Sequence, residues 1–306
     1  MCSVRVWLWT WFLCGAIAGD MRTAVAELPY QQVENVVFAE VHGTGLLMDV
    51  FSPTGPKNGL AIVDVASGAW HSDRGKIRDH TLAQLYSIFC ARGYVVFAVR
   101  PGSLTRYTAL DMDGNLKTAI QYVKEHAEEY QIDGDRLGLT GASAGGHLAT
   151  LAALTPTISQ PNAKDKLKRH NSHVAAVAVF FPPTDFVNWQ DGKRIDLKIL
   201  APLLSPGATT ENLGGLLGKS DDEIRAMAEA ISPLHRVSEP TTPFLLIHGD
   251  ADPVVPLAHS EKFVAAVKAA GGSAELIVKR GGAHPWATIP IEVGVMADWF
   301  DKQLKP

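Results

Sequence analysis

Short apolar runs alternate along this chain with longer stretches in which apolar residues recur every three or four positions. The runs are rich in Val, Ile, Leu and Phe, as is typical of strands buried on both faces of a parallel sheet. They lie at 61–65, 94–99, 137–140, 174–181, 242–248 and 274–278, and the helical stretches include 77–92, 110–130 and 148–154. Strands that alternate with helices predict an α/β fold, with a mostly parallel sheet that carries helices on both faces.

Two segments depart from this alternation. The runs at 36–41 and 46–51 flank Gly43-Thr44-Gly45 and predict an opening hairpin, which makes the first edge of the sheet antiparallel. The stretch 183–240 lacks a strong strand and is interrupted by proline and glycine. We interpret it as an insertion of short helices before the seventh strand. Because sites in α/β sheets lie beyond the carboxyl ends of the strands, such an insertion can cap the site.

The first 26 residues have the pattern of an export signal. A positive charge near Met1 precedes an uncharged apolar run over 6–19, which is too short to span a bilayer comfortably. Small residues favour cleavage after position 18 or 26. We therefore predict a secreted or periplasmic protein whose domain is the single segment 27–306, without stable membrane insertion once the signal is removed. An uncleaved membrane anchor is the alternative.

Composition excludes several classes of function. The formal net charge is −4 and no block of one sign occurs, which argues against a nucleic-acid partner. Of the three cysteines, only Cys90 lies beyond the predicted signal, in an apolar helical context typical of a buried thiol. The motifs that hold phosphates, dinucleotides or zinc are missing from the sequence, so we expect no metal and no cofactor. The oligomeric state stays open.

A candidate nucleophile lies in the segment Gly141-Ala142-Ser143-Ala144-Gly145, where a strand should turn sharply into a helix. A serine on such a turn needs glycine on both sides, because a Cβ there would collide with the neighbouring strand or helix. A hydroxyl also needs a base, and the base needs an acid to orient it.

Two later loops offer these partners, each after a predicted strand. His248-Gly249-Asp250-Ala251-Asp252 follows one strand, and a loop that contains His284 follows the last. Asp250 and Asp252 are both candidates for the acid, and Asp185 is a more distant third. His147 and His248 are interpreted as packing residues of a helix and a strand.

These segments resemble the α/β-hydrolase superfamily over about residues 36–304, specifically its feruloyl-esterase-like and prolyl-oligopeptidase-like branches. The resemblance implies an eight-stranded sheet and a triad made by Ser143, Asp252 and His284. It also implies an oxyanion hole from the N–H of Ala144 and a turn after the third strand. Relatives often have His-Gly-Gly-Gly and an aromatic residue at that turn.

In this chain the turn has the sequence Ala66-Ser67-Gly68-Ala69-Trp70, which departs from the relatives' pattern. Backbone donors do not require glycine, so we expect Gly68 and Ala69 to serve together with Ala144. Trp70 either lines the substrate pocket or packs in the core.

These observations predict an exported serine hydrolase that cleaves carboxylic esters of small molecules through an acyl-enzyme. A prolyl-oligopeptidase-like peptidase is the first alternative. A non-catalytic binding protein on a hydrolase fold is the second, because fold does not determine function.

Overall fold

The computed structural model describes residues 27–190, 192–193, 197–209, 211–239 and 241–305. The predicted signal at 1–26 lies outside the described residues. Within them, eight strands form one sheet in the order β1-β2-β4-β3-β5-β6-β7-β8. The strands are β1 (Tyr30–Val41), β2 (Thr44–Pro53), β3 (Ala61–Val65), β4 (Val95–Arg100), β5 (Leu137–Ala142), β6 (Ala176–Phe180), β7 (Phe244–Gly249) and β8 (Ala274–Lys279).

The sheet is antiparallel at its first edge and parallel from β4 onward. Strand β2 pairs antiparallel with β1 and with β4, and each later pair of neighbours is parallel. The predicted hairpin is confirmed, although β1 begins six residues earlier than the apolar pattern indicates. Of its added residues Tyr30 is buried, but those at 31–35 are exposed at the edge, so burial imposes no alternation on them.

Helices cover both faces of the sheet, as predicted. They are α1 (Arg74–Leu82), α2 (Leu85–Ala91), α3 (Ala109–Glu125), α4 (Ala127–Tyr130), α5 (Ala144–Leu154), α6 (Leu197–Leu204), α7 (Asp221–Ala230), α8 (Ala258–Ala269) and α9 (Ile289–Leu304). One core cluster joins the sheet to α3, α5 and α8 through residues such as Leu116, Leu148 and Phe263. A second cluster joins the other face to α2 and α9 through Phe89 and Phe300.

The stretch 77–92, predicted as helical, forms two helices instead of one. Gln84 lies between α1 and α2 in the left-handed region, at φ 58°. The N–H groups of Ala83 and Gln84 accordingly turn back to the carbonyl oxygens of Asp79 and Thr81 at the end of α1. No glycine or proline marks this break, so hydrophobic period alone did not predict it.

The segment between β6 and β7 contains α6 and α7 together with two short 3-10 helices, Gly214–Leu216 and Pro233–Arg236. Helix α7 begins with a capping box, in which the Ser220 hydroxyl and the Glu223 carboxylate satisfy each other's backbone N–H groups. Among the described helices, none combines the length and the apolar character needed to cross a membrane.

Candidate active site

Ser143 lies on the turn between β5 and α5, with φ 53° and ψ −118°. A residue with a side chain adopts such a conformation at a cost of about 1–3 kcal/mol, and the surrounding structure must enforce it. Close packing does so here. A Cβ on Gly145 would overlap the carbonyl oxygen of Val65, and one on Gly141 would lie 2.5 Å from the carbonyl carbon of Gly145. Glycine is therefore required on both sides of the serine.

The structure brings Ser143, His284 and Asp252 into one hydrogen-bonded chain. The Oγ of Ser143 lies 2.9 Å from Nε2 of His284, and Nδ1 of His284 lies 2.7 Å from Oδ2 of Asp252. An ionised carboxylate only accepts hydrogen bonds, so Nδ1 carries the proton. Nε2 is left as an acceptor that faces the serine hydroxyl, which is the protonation state that a general base requires.

Asp252 is held as a carboxylate by several donors. Its Oδ1 accepts the N–H groups of Val254 and Val255 at 2.8 and 2.9 Å, and Nε2 of His248 lies 3.4 Å from Oδ2. Burial of the carboxyl group raises its pKa, but the hydrogen bonds from His248, His284 and the two N–H groups hold the pKa well below its usual range. Asp252 therefore stays ionised as the acid of the triad.

The rival acids have other partners. Oδ1 of Asp250 accepts the N–H of Gly281 at 2.6 Å, which ties the loop after β7 to the loop after β8. Oδ1 of Asp185 accepts the N–H groups of Val187 and Asn188. Neither carboxylate contacts His284 in the described structure.

His147 and His248 are buried and fully hydrogen-bonded. Nδ1 of His147 accepts the indole N–H of Trp70 at 2.9 Å, and its Nε2–H donates to the carbonyl oxygen of Ile231 at 2.7 Å. Burial lowers the pKa of His147 to about 4. His248 lies between the Ser260 hydroxyl and a backbone carbonyl, at 2.7 and 2.9 Å. Its contact with Asp252 is a supporting role that sequence reasoning missed.

One expected oxyanion donor, Gly68, is excluded by the conformation of the turn at 68–71. Gly68 and His71 exchange both backbone hydrogen bonds, at 3.0 and 2.9 Å, while Ala69 and Trp70 have φ 47° and 56°. Two positive φ values between paired residues are the pattern of a type I′ turn. Closing this turn commits the N–H of Gly68 to the carbonyl oxygen of His71. Gly68 is therefore not an oxyanion donor in this conformation.

Two of the expected donors keep a free N–H. Ala144 is the first residue of α5, where an N–H has no partner within the helix. Among the described residues, no protein acceptor takes the N–H of Ala69 either. Trp70 was expected either to line the substrate pocket or to pack in the core. It does both, because it lines the cavity and is only 8% exposed.

A cavity of about 900 Å³ opens over Ser143 and has two sides. One side is formed by the insertion and neighbouring loops, and the other by α1, α2 and α9. The first side includes Leu104, Pro183, Trp189, Ile199, Pro202 and Val254, and the second includes His80, Leu82, Leu85, Ile289, Pro290 and Val293. Nearly all of these side chains are apolar, so the cavity favours an organic substrate of low polarity.

Sequence reasoning also missed Phe181, whose ring centre lies 4.3 Å from that of His284 and so packs against the imidazole. Cys90 is buried, and burial raises the pKa of its thiol to about 12, so the thiol stays protonated. Among the described residues, no group of three or more His, Cys, Asp or Glu side chains is arranged to hold a metal ion.

Comparison with known proteins identifies the family and the fold. The sequence matches the BD-FAE family over residues 48–267, a range that includes Ser143 and Asp252 but ends before His284. The chain belongs to the BD-FAE family. Among solved structures, the truncated carbohydrate esterase from gut microbiota superposes with a TM-score of 0.73 at 24% identity, covering 92% of this chain and 99% of that one. Propionate-bound esterase 2 of Thermogutta terrifontis gives 0.66 at 22% identity, covering 89% and 96%. This BD-FAE member thus has an α/β-hydrolase fold.

Two curated relatives come from Mycobacterium tuberculosis. The probable carboxylic ester hydrolase LipM is 29% identical over 204 residues, which are 66% of this chain and 43% of LipM. The esterase LipQ is 26% identical over 223 residues, which are 73% of this chain and 49% of LipQ. The BD-FAE chain spans about half the length of these relatives.

Proposed function

We propose that this protein is a serine esterase that hydrolyses carboxylic esters of small molecules through an acyl-enzyme. The observation that carries the proposal is the unbroken chain from Ser143 through His284 to Asp252, with separations of 2.9 and 2.7 Å. The BD-FAE match and the esterase names of the relatives support the same activity.

In the first step the Ser143 Oγ attacks the carbonyl carbon of the ester while its proton passes to Nε2 of His284. Asp252 keeps the Nδ1 proton in place and stabilises the imidazolium that forms. The tetrahedral intermediate collapses when the C–O bond to the alcohol breaks, and His284 returns its proton to the leaving oxygen. Water then attacks the acyl-serine through the same base and releases the acid.

The oxyanion is assigned to the N–H groups of Ala144 and Ala69. Losing one such donor typically costs about 3–4 kcal/mol in the transition state. Ala69 and Trp70, both at positive φ, line the cavity together with Ser143, and the hydrogen bond from Trp70 to His147 joins the turn to α5. Strain at these two residues therefore serves to orient a donor.

We also propose that the segment 27–306 acts as a single domain in which 183–240 caps the cavity. This proposal is supported by Pro183, Trp189 and Pro202, which line the cavity from within that segment. The N-terminal pattern supports export of the domain to the periplasm or the medium after cleavage behind residue 18 or 26. The mass of the protein expressed with its own N-terminus tests this. An intact Met1 found in the membrane fraction would favour an anchor.

The activity is tested with purified wild type, Ser143→Ala and Ser159→Ala, which removes a hydroxyl from an exposed loop. We expect Ser143→Ala to lower kcat for p-nitrophenyl butyrate by at least about 10⁴-fold with an unchanged melting temperature, and Ser159→Ala to match the wild type. Near-normal turnover by correctly folded Ser143→Ala would falsify the mechanism.

Aminoacyl p-nitroanilides separate an esterase from a peptidase. We expect kcat/KM for the ester to exceed that for any such anilide by at least about a hundredfold, because an amide needs more transition-state stabilisation. Comparable rates on an anilide, abolished in Ser143→Ala, would favour the peptidase. Failure to hydrolyse either class would favour a non-catalytic binding protein.

A further inference from the structure

A second carboxylate–imidazole pair lies beside the cavity. Asp64, the penultimate residue of β3, accepts Nδ1–H of His80 at 2.7 Å and the hydroxyl of Tyr86 at 3.0 Å. The mechanism proposed above uses neither His80 nor Asp64. Asp64 is also the single charged residue in the apolar run 61–65, a signal that sequence reasoning passed over.

This pair is costly for the fold. Asp64 is 0% exposed, and a buried carboxylate carries a desolvation penalty of several kcal/mol that only close partners offset. Burial lowers the pKa of His80, but Asp64 more than compensates and raises the pKa above its usual value. The imidazole is thereby favoured in the form in which both ring nitrogens carry hydrogen.

The second nitrogen of His80 is free for a ligand. Nδ1 is occupied by Asp64, whereas Nε2 has no hydrogen-bond partner in the described part of the chain. The side chain is 12% exposed, and His80 lines the same cavity as Ser143. Most of the other residues on this wall are apolar, among them Leu85 and Val293.

Strand register gives the level of Asp64, the partner of His80, relative to the nucleophile along the strands. Asp64 pairs with Thr140, which lines the cavity and faces α9 through its bond to Met296. Ser143 follows Thr140 by three residues, which is about 10 Å along an extended strand. With a hydrogen bond of about 3 Å at the far end, an acyl chain of about six atoms spans this rise from the level of Asp64 to Ser143.

We propose that His80 is a specificity-determining residue that donates Nε2–H to an oxygen carried near the sixth atom of the substrate's acyl chain. This inference rests on the proposed esterase function and names the substrate class. The substrates are esters of medium-length acids that bear an ether, hydroxyl or carbonyl oxygen at that depth. The alcohol side of the ester then occupies the side of the cavity lined by Trp189 and Pro202.

The charges around His80 favour an uncharged oxygen over a carboxylate. Asp64 and His80 neutralise each other, and Lys76 pairs with Asp79 at 2.8 Å on the same helix. Among the described residues that line this wall, no net positive charge therefore remains to offset the desolvation of an anion.

The test compares two esters of equal chain length, p-nitrophenyl heptanoate and p-nitrophenyl 5-methoxypentanoate, in which an oxygen replaces the sixth carbon. The measured quantity is the ratio of kcat/KM for the ether to that for the alkyl ester. We expect His80→Leu to lower this ratio by about 3- to 10-fold relative to wild type, the effect of one net hydrogen bond. A structural role alone would reduce both rates together and leave the ratio unchanged.

Two further variants make the comparison secure. His170→Gln alters a histidine paired with Glu125 at 2.8 Å that does not line the cavity, and it should keep the wild-type ratio. If unpaired Asp64 prevents folding of His80→Leu, the double variant Asp64→Asn/His80→Leu removes the charge together with its partner. The same fall in the ratio is expected.

The outcomes separate the two proposals. An unchanged ratio in the folded His80 variants, with hydrolysis abolished by Ser143→Ala, would overturn the inference and leave the esterase function intact. A third ester, with a terminal carboxylate on its acyl chain, tests the alternative. If His80→Leu lowers kcat/KM for this ester relative to the alkyl ester, and does not do so for the ether, the subsite is reassigned to anions. If wild type hydrolyses neither ester, the proposed function and the inference both fall.

Discussion

Replacing Trp70 by Phe tests the hydrogen bond that joins the strained turn to the helix after Ser143. The change removes the indole N–H that His147 accepts at 2.9 Å, and His147 is 0% exposed. Because no other donor contacts it among the described residues, Nδ1 of His147 becomes a buried, unsatisfied acceptor. The expected cost is about 1–3 kcal/mol, to which loss of the larger ring adds about 1 kcal/mol.

Trp299→Phe is the matched control. The indole of Trp299 donates to Glu275 at 2.9 Å, and Trp299 is similarly buried, at 6% exposed. Glu275, however, lies exposed on β8, so water can solvate its carboxylate after the substitution. Both variants lose the same ring atoms and one donor. We therefore expect Trp70→Phe to cost about 1–2 kcal/mol more than Trp299→Phe.

Urea denaturation followed by far-ultraviolet circular dichroism measures the free energy of unfolding of both variants without relying on tryptophan emission. The slope with denaturant should stay constant, so that the shift in midpoint reports stability. Equal losses in the two variants would refute the argument, because they would show that the buried nitrogen of His147 carries no extra penalty.

Three further predictions follow from the site. Asp252→Asn should lower kcat for an ester by several orders of magnitude and Asp250→Asn by far less; the reverse ranking would transfer the acid's role to Asp250. Ala69→Gly should raise the unfolding free energy by up to about 1 kcal/mol, because glycine tolerates φ 47°, and a lower thermal midpoint would contradict this. Burial lowers the pKa of His147 and of His259 to about 4, although hydrogen bonds to backbone carbonyl groups partly offset this decrease. The unfolded chain then binds more protons between pH 6.5 and 4. Unfolding free energy should therefore fall by about 3 kcal/mol per histidine as pH decreases through that range, and denaturation curves that do not move with pH would exclude this.

The sequence indicated the fold, the turn at Ser143 and the two loops that carry the acid and His284, because each depends on local pattern. Buried strands are continuous apolar runs, and the turn at Ser143 needs glycine on both sides for steric reasons. The choice between Asp250 and Asp252 was different, since both lie in one loop. It depended on resemblance. In the structure the backbone N–H of Gly281 donates to Asp250, whereas Nδ1 of His284 is hydrogen-bonded to Asp252.

The oxyanion turn and the His80 pair depend on contacts between distant segments. Nothing in Gly68-Ala69-Trp70-His71 resembles the Asn-Gly pattern of a type I′ turn, so closure of the turn and loss of the Gly68 donor were not foreseeable. The partner of Asp64 is 16 residues away on a helix that ends without a glycine or proline signal.

The position of β8 at the far edge of the sheet has a consequence for how the protein loses activity. His284 follows this strand, which pairs only with β7 in the described sheet and has one buried residue, Ala274. Edge strands open by local fluctuation at lower free energy than central ones. Fraying of β8 would carry the imidazole away from Ser143 while β5, at the centre of the sheet, stays folded. Under mild denaturant the chain would thus pass through a form that keeps its circular dichroism spectrum but is inactive, because His284 no longer lies beside Ser143.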